Sequence, residues 1–231
     1  MPRPMLTEAA AAYALWAPSY PAQAHNPLMR AEERALLSLL PDALAGHSVL
    51  DVGCGSGRYL LHALARGARR LSGVDFSAPM LERANLEINS CRSGAEITLL
   101  QGDLMALPVA DAWADVTLCG LVVGHVDDLQ QALRELQRVT RSGGLVLCSD
   151  VHPVGHALGW VRDFKCGDQR YAVRHTPHLF SHWHAACAAA GLMIEAILQP
   201  MLDPHDIPVD AHFDRRALQI PVALVMKLRC V

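Results

Sequence analysis

Three glycines in one short segment carry the clearest chemical signal of the sequence. The segment V-L-D-V-G-C-G-S-G-R covers residues 49–58 and places glycine at positions 53, 55 and 57. Glycine lets the backbone turn tightly and approach a ligand closely, because it has no Cβ. A helix that begins at such a turn directs free N–H groups and its positive dipole end toward the ligand. The segment therefore predicts a site for a nucleoside that carries an anionic or carboxylate group.

An acidic residue at the end of the next predicted strand fits the same site. Asp75 follows the predicted strand 70–74 and precedes Phe76. A carboxylate there accepts hydrogen bonds from both hydroxyls of a ribose. Nicotinamide dinucleotides are bound in the same way, so a nicotinamide-dependent oxidoreductase is an alternative. The G-x-G-x-G spacing, with Arg58 where a further glycine would stand, and the presence of Asp51 before the turn favour a different nucleoside.

Two of the twelve histidines follow predicted strand ends, where open α/β sheets bind their ligands. They are His125 and His152. Neutral histidine accepts a proton near neutral pH, so either residue is a candidate general base, and structural hydrogen bonding is the alternative. His178 and His182 have the i, i+4 spacing of a metal pair, but no acidic or cysteine partner stands at a suitable distance along the chain. We therefore predict no metal site.

Short apolar runs and helical segments alternate through the middle of the chain. Predicted strands cover residues 48–52, 70–74, 96–100, 114–119 and 144–149, and the helices between them cover 57–65, 78–90 and 128–140. Parallel neighbours need long connections, and right-handed crossovers place helices on both faces of the sheet. The pattern predicts an α/β fold with a doubly wound, mostly parallel sheet.

The two ends of the chain depart from this alternation. Helices are predicted over residues 4–16 and 28–40, a β-hairpin over 160–175, and a helix that ends before Gly191. Strands 192–199 and 217–228 lack an intervening helix and should pair antiparallel, which completes a seven-stranded sheet. We predict one domain over residues 1–231: a helical lid (1–45), a cofactor-binding core (46–150), a substrate-cap insertion (151–176) and the end of the sheet (177–231).

Composition narrows the cellular setting. The 231 residues contain 20 Lys plus Arg and 23 Asp plus Glu, a net charge of -3, which gives no whole-molecule attraction to nucleic acid or anionic lipid. No apolar run approaches the roughly 20 residues that span a bilayer, and the seven cysteines form no C-x-x-C pair. We expect a cytoplasmic monomer or homodimer with reduced thiols and no signal peptide, nucleic-acid partner or membrane partner.

Four segments in order resemble class I S-adenosylmethionine-dependent methyltransferases over about residues 49–150. They read D-V-G-C-G-S-G, G-V-D-F-S-A-P-M-L, Q-G-D-L-M-A-L-P-V-A-D-A-W-A-D-V and L-Q-R-V-T-R-S-G-G-L-V-L. The N-terminal Y-x-x-W-A-x-x-Y is similar to the small-molecule branch that includes ubiquinone and menaquinone methyltransferases and the carrier-protein carboxyl methyltransferase of biotin synthesis. C-G-L-V stands where methyltransferases of nucleic-acid amino groups carry N-P-P-Y, so an RNA or protein methyltransferase is a less favoured alternative.

This resemblance implies S-adenosylmethionine as the cofactor and a small molecule as the methyl acceptor. The glycines would line the methionine half of the cofactor, Asp51 would lie near its amino group, and Asp75 would bind the ribose. The implied cofactor-binding residues are Asp51, Gly53, Cys54, Gly55, Gly57, Asp75, Phe76, Met80, Asp103, Leu104 and Cys119.

Substrate contacts are expected from the N-terminal segment and the hairpin. The aromatic residues of the N-terminal segment would cover the cofactor as a lid, or else only dock a helix onto the sheet. The arginines of the hairpin could receive an anionic group, although a solvated charged hairpin is equally consistent. The candidate substrate residues are Tyr13, Trp16, Tyr20, Trp160, Arg162 and Arg174.

Overall fold

A computed structural model describes residues 4–91, 94–209 and 213–231. The strands are β1 (Met5–Thr7), β2 (Ser48–Val52), β3 (Arg70–Asp75), β4 (Glu96–Gln101), β5 (Ala114–Gly120), β6 (Thr140–Val151), β7 (Asp163–Cys166), β8 (Gln169–Val173), β9 (Leu192–Leu198) and β10 (Ala223–Cys230). The α-helices are α1 (Ala9–Trp16), α2 (Pro27–Leu39), α3 (Arg58–Ala65), α4 (Ala78–Ser90), α5 (Leu129–Val139), α6 (Pro153–Ala157) and α7 (Phe180–Ala190).

Seven strands form one sheet in the order β4-β3-β2-β5-β6-β10-β9. The first five are parallel, and β10 runs antiparallel between β6 and β9. All five residues of β2 are buried, as a strand covered by helices on both faces requires. The predicted fold class, including the terminal antiparallel pair, is confirmed.

Helices cover both faces of this sheet. On one face α5 and α7 pack over a core that includes Leu133, Leu136 and Trp183. On the other, α2, α3 and α4 enclose a second core that includes Leu36 and Leu60. This layering leaves the carboxyl ends of the parallel strands as the edge where a ligand can enter.

The N-terminal helix predicted over residues 4–16 is wrong for its first residues. Met5–Thr7 form β1, which pairs parallel with β8 in the register Met5↔Tyr171 and Thr7↔Val173. The predicted hairpin is confirmed as β7 and β8, and the three strands form a separate sheet in the order β1-β8-β7. The helix preference of Met5 and Leu6 is overridden because the free edge of the hairpin satisfies the backbone hydrogen bonds of residues 5–7.

The last predicted strand also begins later than expected. Residues 215–218 form a short 3₁₀ turn, and β10 starts at Ala223, two residues after Pro221. Proline lacks the N–H that a central strand needs, so the strand can start only beyond it. The longest helices have 13 residues, and in the described part of the chain no helix combines the length and apolar character needed to cross a membrane.

Candidate functional site

A cavity of about 60 Å³ opens at the carboxyl ends of β2, β3 and β5, and we call it the first cavity. It is lined by Tyr13, Tyr20, Met29, Gly53, Gly55, Arg58, Asp75, Phe76, Met80, Gly120, Leu121, Val122, His125 and Arg162.

The glycine-rich turn forms one wall of the first cavity. Gly53, Gly55 and Gly57 have φ values of 67°, 54° and 82°, a region that favours glycine. A Cβ on Gly53 would lie 2.3 Å from Cγ2 of Val122. Gly53 and Cys54 both donate their N–H groups to the carbonyl oxygen of Val74, across 2.7 and 3.0 Å. The turn is thus fixed to β3, and its bare backbone faces the cavity.

Asp75 holds a fixed carboxylate at the end of β3. Its Oδ2 accepts a hydrogen bond from the N–H of Gly55, and its Oδ1 accepts one from the N–H of Ser77, each across 2.9 Å. Burial raises the pKa of this carboxyl group, and the two backbone donors oppose that shift. The side chain bridges the glycine turn and the start of α4, so its oxygens keep one orientation at the cavity wall.

Asp51 is a buried carboxyl group beside the glycine turn. Neither of its oxygens has a hydrogen-bond partner among the residues that the structure describes. Burial raises its pKa to about 8. An unpartnered buried polar group is costly, so a cationic donor that reaches Asp51 would be strongly favoured.

A buried acid on α2 supports the opposite wall, and sequence reasoning missed it. Oε1 of Glu32 accepts from the hydroxyls of Tyr59 (2.6 Å) and Ser149 (2.5 Å), and Arg58 pairs with its Oε2 at 3.4 Å. Ser149 in turn accepts from the N–H of Leu121, which has a φ of 61°. Glu32 stands within the apolar face of α2, and a charged residue at a core position was the signal that could have revealed this network.

The N-terminal helix and the hairpin meet over the first cavity through Tyr13. Its hydroxyl lies 3.0 Å from Nε2 of His125 and accepts a hydrogen bond from Nη1 of Arg162. Burial raises the pKa of Tyr13 to about 12, whereas it lowers the pKa of His125 to about 4. His125 is therefore neutral at physiological pH, and both of its ring nitrogens are engaged, since Nδ1 lies 3.2 Å from the carbonyl oxygen of Arg174.

A larger space of about 520 Å³, the second cavity, lies under the hairpin and adjoins the first at Arg162, which lines both. Trp16 and Phe164 stack at one wall with ring centroids 4.6 Å apart and planes at 4°. Trp160 forms another wall and donates its indole N–H to Oδ2 of Asp214 across 2.9 Å. The aromatic walls suit a planar, largely apolar ligand.

Three histidines line the second cavity with buried nitrogens that lack a partner among the described residues. They are His25 (Nδ1), His156 (Nε2) and His175 (Nδ1). The rings of His156 and His175 lie 4.4 Å apart. None of the three was a sequence candidate, because the sequence does not show which histidines the fold brings together.

The structure places the predicted residues in three groups. Those that line the first cavity are Gly53, Gly55, Asp75, Phe76, Met80, His125, Tyr13, Tyr20 and Arg162. Trp16 and Trp160 line the second cavity, as does Arg162. The residues that line neither cavity are Asp51, Cys54, Gly57, Asp103, Leu104, Cys119, His152 and Arg174.

Members of that last group have other contacts. His152 places Nε2 2.9 Å from Oε1 of Gln199, and Asp103 accepts from the N–H of Met105. Cys119 and Leu104 are buried in the core, and Gly120 to Val122 line the first cavity beyond the end of β5. Arg174 is exposed and pairs with Glu8 and Asp127 on the surface.

The matching family model and the two relatives described below are all named as methyltransferases. A family model described as a methyltransferase domain matches residues 50–148. A malonyl-[acyl-carrier protein] O-methyltransferase from Pectobacterium atrosepticum is 38% identical over 52% of this chain and 44% of its own length. A demethylmenaquinone methyltransferase from Thermobifida fusca is 38% identical over 52% of each chain. The chain thus spans about half the length of these curated relatives.

Solved structures show the same fold. An S-adenosylmethionine-dependent methyltransferase from Mesorhizobium loti superposes with a TM-score of 0.70, at 23% identity over 86% of this chain and 97% of that one. A geranyl diphosphate C-methyltransferase from Streptomyces coelicolor A3(2), crystallised with S-adenosyl-L-homocysteine, gives a TM-score of 0.67 at 15% identity over 87% and 80% of the two chains. At these identities the likenesses show the fold, which is the one that the sequence predicted.

Proposed function

We propose that the chain, whose residues 50–148 match a methyltransferase domain, is a class I S-adenosylmethionine-dependent methyltransferase that transfers a methyl group to an oxygen, nitrogen or carbon atom of a small molecule. The residues around the first cavity bind the cofactor, and the second cavity holds the acceptor. The observation that carries this proposal is the meeting of the two cavities at Arg162, with the glycine turn and Asp75 on one side and aromatic walls on the other.

The residues of the first cavity fit this cofactor. Asp75 would accept from the ribose hydroxyls, and Phe76 and Met80 would contact the adenine. The unpartnered carboxyl group of Asp51 lies close enough to the turn to interact electrostatically with Asp75 and Arg58, and it would bind the amino group of the methionine half. When bound, S-adenosylmethionine supplies an already activated methyl group on a sulfonium sulfur.

The protein's own contribution is positioning and exclusion of water. A bound acceptor must lie in line with the methyl carbon and the sulfur, and correct orientation of two reactants removes a large part of the barrier. Tyr13 and Tyr20 close the first cavity from α1 and the turn after it, and the hairpin residue Phe164 closes the second. Arg162 places a guanidinium between the two, where it would hold an anionic group of the acceptor.

The two relatives do not determine the acceptor atom. One is named for O-methylation of a malonyl-[acyl-carrier protein] and the other for methylation of a demethylated quinone, and the regions of identity cover only about half of each. The second cavity is lined largely by residues from the range 151–222, which lies beyond the matched methyltransferase domain. A small-molecule acceptor is supported by the concave, aromatic shape of that cavity.

Isothermal titration calorimetry with S-adenosylmethionine tests the proposal. Asp75→Asn should weaken binding at least tenfold, because the ribose loses a charged acceptor. The matched control is Asp111→Asn, a surface carboxyl group that pairs with Arg138 outside both cavities. Equal affinity for the cofactor in both variants contradicts the placement of the ribose. In a parallel melting experiment, S-adenosylhomocysteine should raise the Tm and NADH should not, since only a ligand of the native state stabilises it.

A further inference from the structure

A carboxylate and an imidazole form a buried pair at the edge of the second cavity. Asp150, near the end of β6, places Oδ1 2.8 Å from Nε2 of His175, which follows β8. The side chains are 3% and 8% exposed. Oδ1 of Asp150 also accepts from the N–H of Val151, which limits its rotation. The pair joins the main sheet to the end of the hairpin and holds the imidazole in one place.

The local backbone is shaped to admit this imidazole. Gly124 lies against it so closely that a Cβ would stand 2.0 Å from Nε2 of His175. The carbonyl oxygen of Gly124 accepts from the N–H of Thr176 across 2.7 Å, which fixes the residue after His175. Any other residue at position 124 would displace the ring from Asp150.

The carboxylate determines which nitrogen of His175 can accept a proton. A carboxylate oxygen only accepts, so in the neutral imidazole Nε2 carries the ring hydrogen and Nδ1 keeps its lone pair. That nitrogen has no partner among the described residues and belongs to a ring that lines the second cavity. A buried acceptor without a donor costs free energy, so a ligand hydroxyl that donates to it would be stabilised. The arrangement matches a base oriented by a third group.

The Asp150–His175 pair also lies close to the first cavity. The ring centroid of His175 lies 5.7 Å from that of His125, a residue of the first cavity. His175 and Arg162 line the second cavity together with Trp16 and Phe164. A planar ligand against these aromatic rings can therefore reach His175 with one polar substituent while its reacting atom faces the first cavity.

We propose that the methyl acceptor is a hydroxylated aromatic molecule and that His175, oriented by Asp150, is the general base that takes the acceptor's hydroxyl proton. This inference rests on the proposed function. A carboxylate acceptor is already ionised and an unprotonated amine has a free lone pair, so neither needs a base as it attacks. A hydroxyl is a weak nucleophile until its proton leaves.

The step balances without another reactant. The O–H bond of the acceptor breaks and its proton moves to Nδ1 of His175, while Nε2–H stays bonded to Asp150. The oxygen lone pair forms a bond to the methyl carbon. The C–S bond breaks and its electron pair stays on sulfur, so the sulfonium charge is lost and a neutral thioether remains. The proton on His175 then passes to solvent when the product leaves.

Absorbance titration with 4-nitrophenol tests this proposal, because its phenolate absorbs visible light and its phenol does not. At a pH below the ionisation of the free probe, the wild-type protein should develop the phenolate band on binding. His175→Gln should lose that band and bind the probe at least tenfold more weakly. The matched control is His184→Gln, an exposed histidine on α7 that lines neither cavity. If His175→Gln does not fold, Asp150→Asn gives the same test, since it removes the charge that orients the ring.

The groups that face the pair are His125, His156 and Arg162, and the phenolate band should follow His175 rather than these neighbours. An unchanged band and affinity in His175→Gln overturns the proposal, as does a wild-type protein that does not bind 4-nitrophenol. Tighter, His175-dependent binding of 4-nitrobenzoate would overturn the hydroxyl class in favour of a carboxylate. If the wild-type protein binds S-adenosylmethionine, each of these results refutes only this inference. If the wild-type protein does not bind S-adenosylmethionine, the proposed function itself is refuted.

Discussion

The hydroxyl of Tyr13 donates a hydrogen bond to Nε2 of His125 across 3.0 Å. The direction follows from the other partners. Nδ1 of His125 faces the carbonyl oxygen of Arg174, which can only accept, so Nδ1 carries the hydrogen and Nε2 is the acceptor. Arg162 donates to the same tyrosine oxygen. One phenol therefore joins α1, the segment after β5 and the hairpin over the first cavity.

Replacing Tyr13 with Phe should lower the free energy of unfolding by about 2 kcal/mol or more. The change leaves a nitrogen of His125 and the guanidinium of Arg162 without this partner, and unsatisfied buried groups cost about 1–3 kcal/mol each. Urea unfolding measures the loss. Tyr171→Phe is the control, because Tyr171 stacks on Phe164 in the same sheet without a hydrogen bond from its hydroxyl among the described residues. Equal losses in both variants would contradict a special role for Tyr13.

Stability should fall as the pH drops from about 6.5 to about 4, in part because of His125. Its pKa is about 4 in the folded protein and about 6.5 when unfolded, so the unfolded chain binds the extra proton within this window. The stabilisation from the neutral imidazole is fully present above pH 6.5 and is lost as the pH falls to the pKa of His125 in the folded protein, about 4. In unfolding measurements at several pH values, His125→Asn should show a shallower decline than the wild type. His184→Asn should keep the wild-type slope, and identical slopes for all three proteins would refute the assignment.

Gly53→Ala should impair both stability and cofactor binding. The new methyl group would stand 2.3 Å from Cγ2 of Val122 at a backbone φ of 67°. Gly46→Ala separates the two causes, since Gly46 has a φ of 79° but no atom within 4 Å of the position that a methyl group would take. The control should lose about 1–2 kcal/mol from backbone strain alone. Gly53→Ala should lose more and bind S-adenosylmethionine at least tenfold more weakly by calorimetry, and equal behaviour would show that Val122 moves aside without cost.

Binding of S-adenosylmethionine at pH 7 should release close to one proton from Asp51. Its pKa of about 8 means that the free protein holds this carboxyl group mostly protonated, and an ammonium group beside it would favour the ionised form. Calorimetry in buffers of different ionisation enthalpy counts the proton. Asp51→Asn should release none and bind more weakly, whereas Asp111→Asn should behave as the wild type. Proton release that persists in Asp51→Asn would place the amino group elsewhere.

Local patterns were enough to predict the central sheet. The all-buried run of β2 and the apolar positions of α5, which include Leu129, Leu133 and Leu136, follow from periodicity alone. β1 could not be predicted in this way, because its partner β8 lies more than 160 residues further along the chain. Three residues carry too little pattern to show a pairing that the hairpin edge provides.

In the candidate site too, residues fixed by local sequence could be predicted, and residues that meet only in the folded chain could not. Gly53, Gly55 and Asp75 could be found because a turn and a strand end fix them relative to neighbouring residues in the chain. Asp150 and His175 meet only after β6 and the hairpin are placed, so neither residue type nor spacing marks them. Arg174, the neighbour of His175, was predicted as a substrate residue, and alternation along the extended backbone turns it toward the surface, where it pairs with Glu8 and Asp127.

The pairing of β1 with β8 makes one rigid cover out of two segments that are distant in sequence. Met5–Thr7 lead into the helix that closes the first cavity, and β8 belongs to the hairpin that closes the second. Neither cavity can open fully unless both segments move. Cofactor and acceptor should therefore bind cooperatively, and thermodynamic linkage requires each to raise the affinity for the other by the same factor.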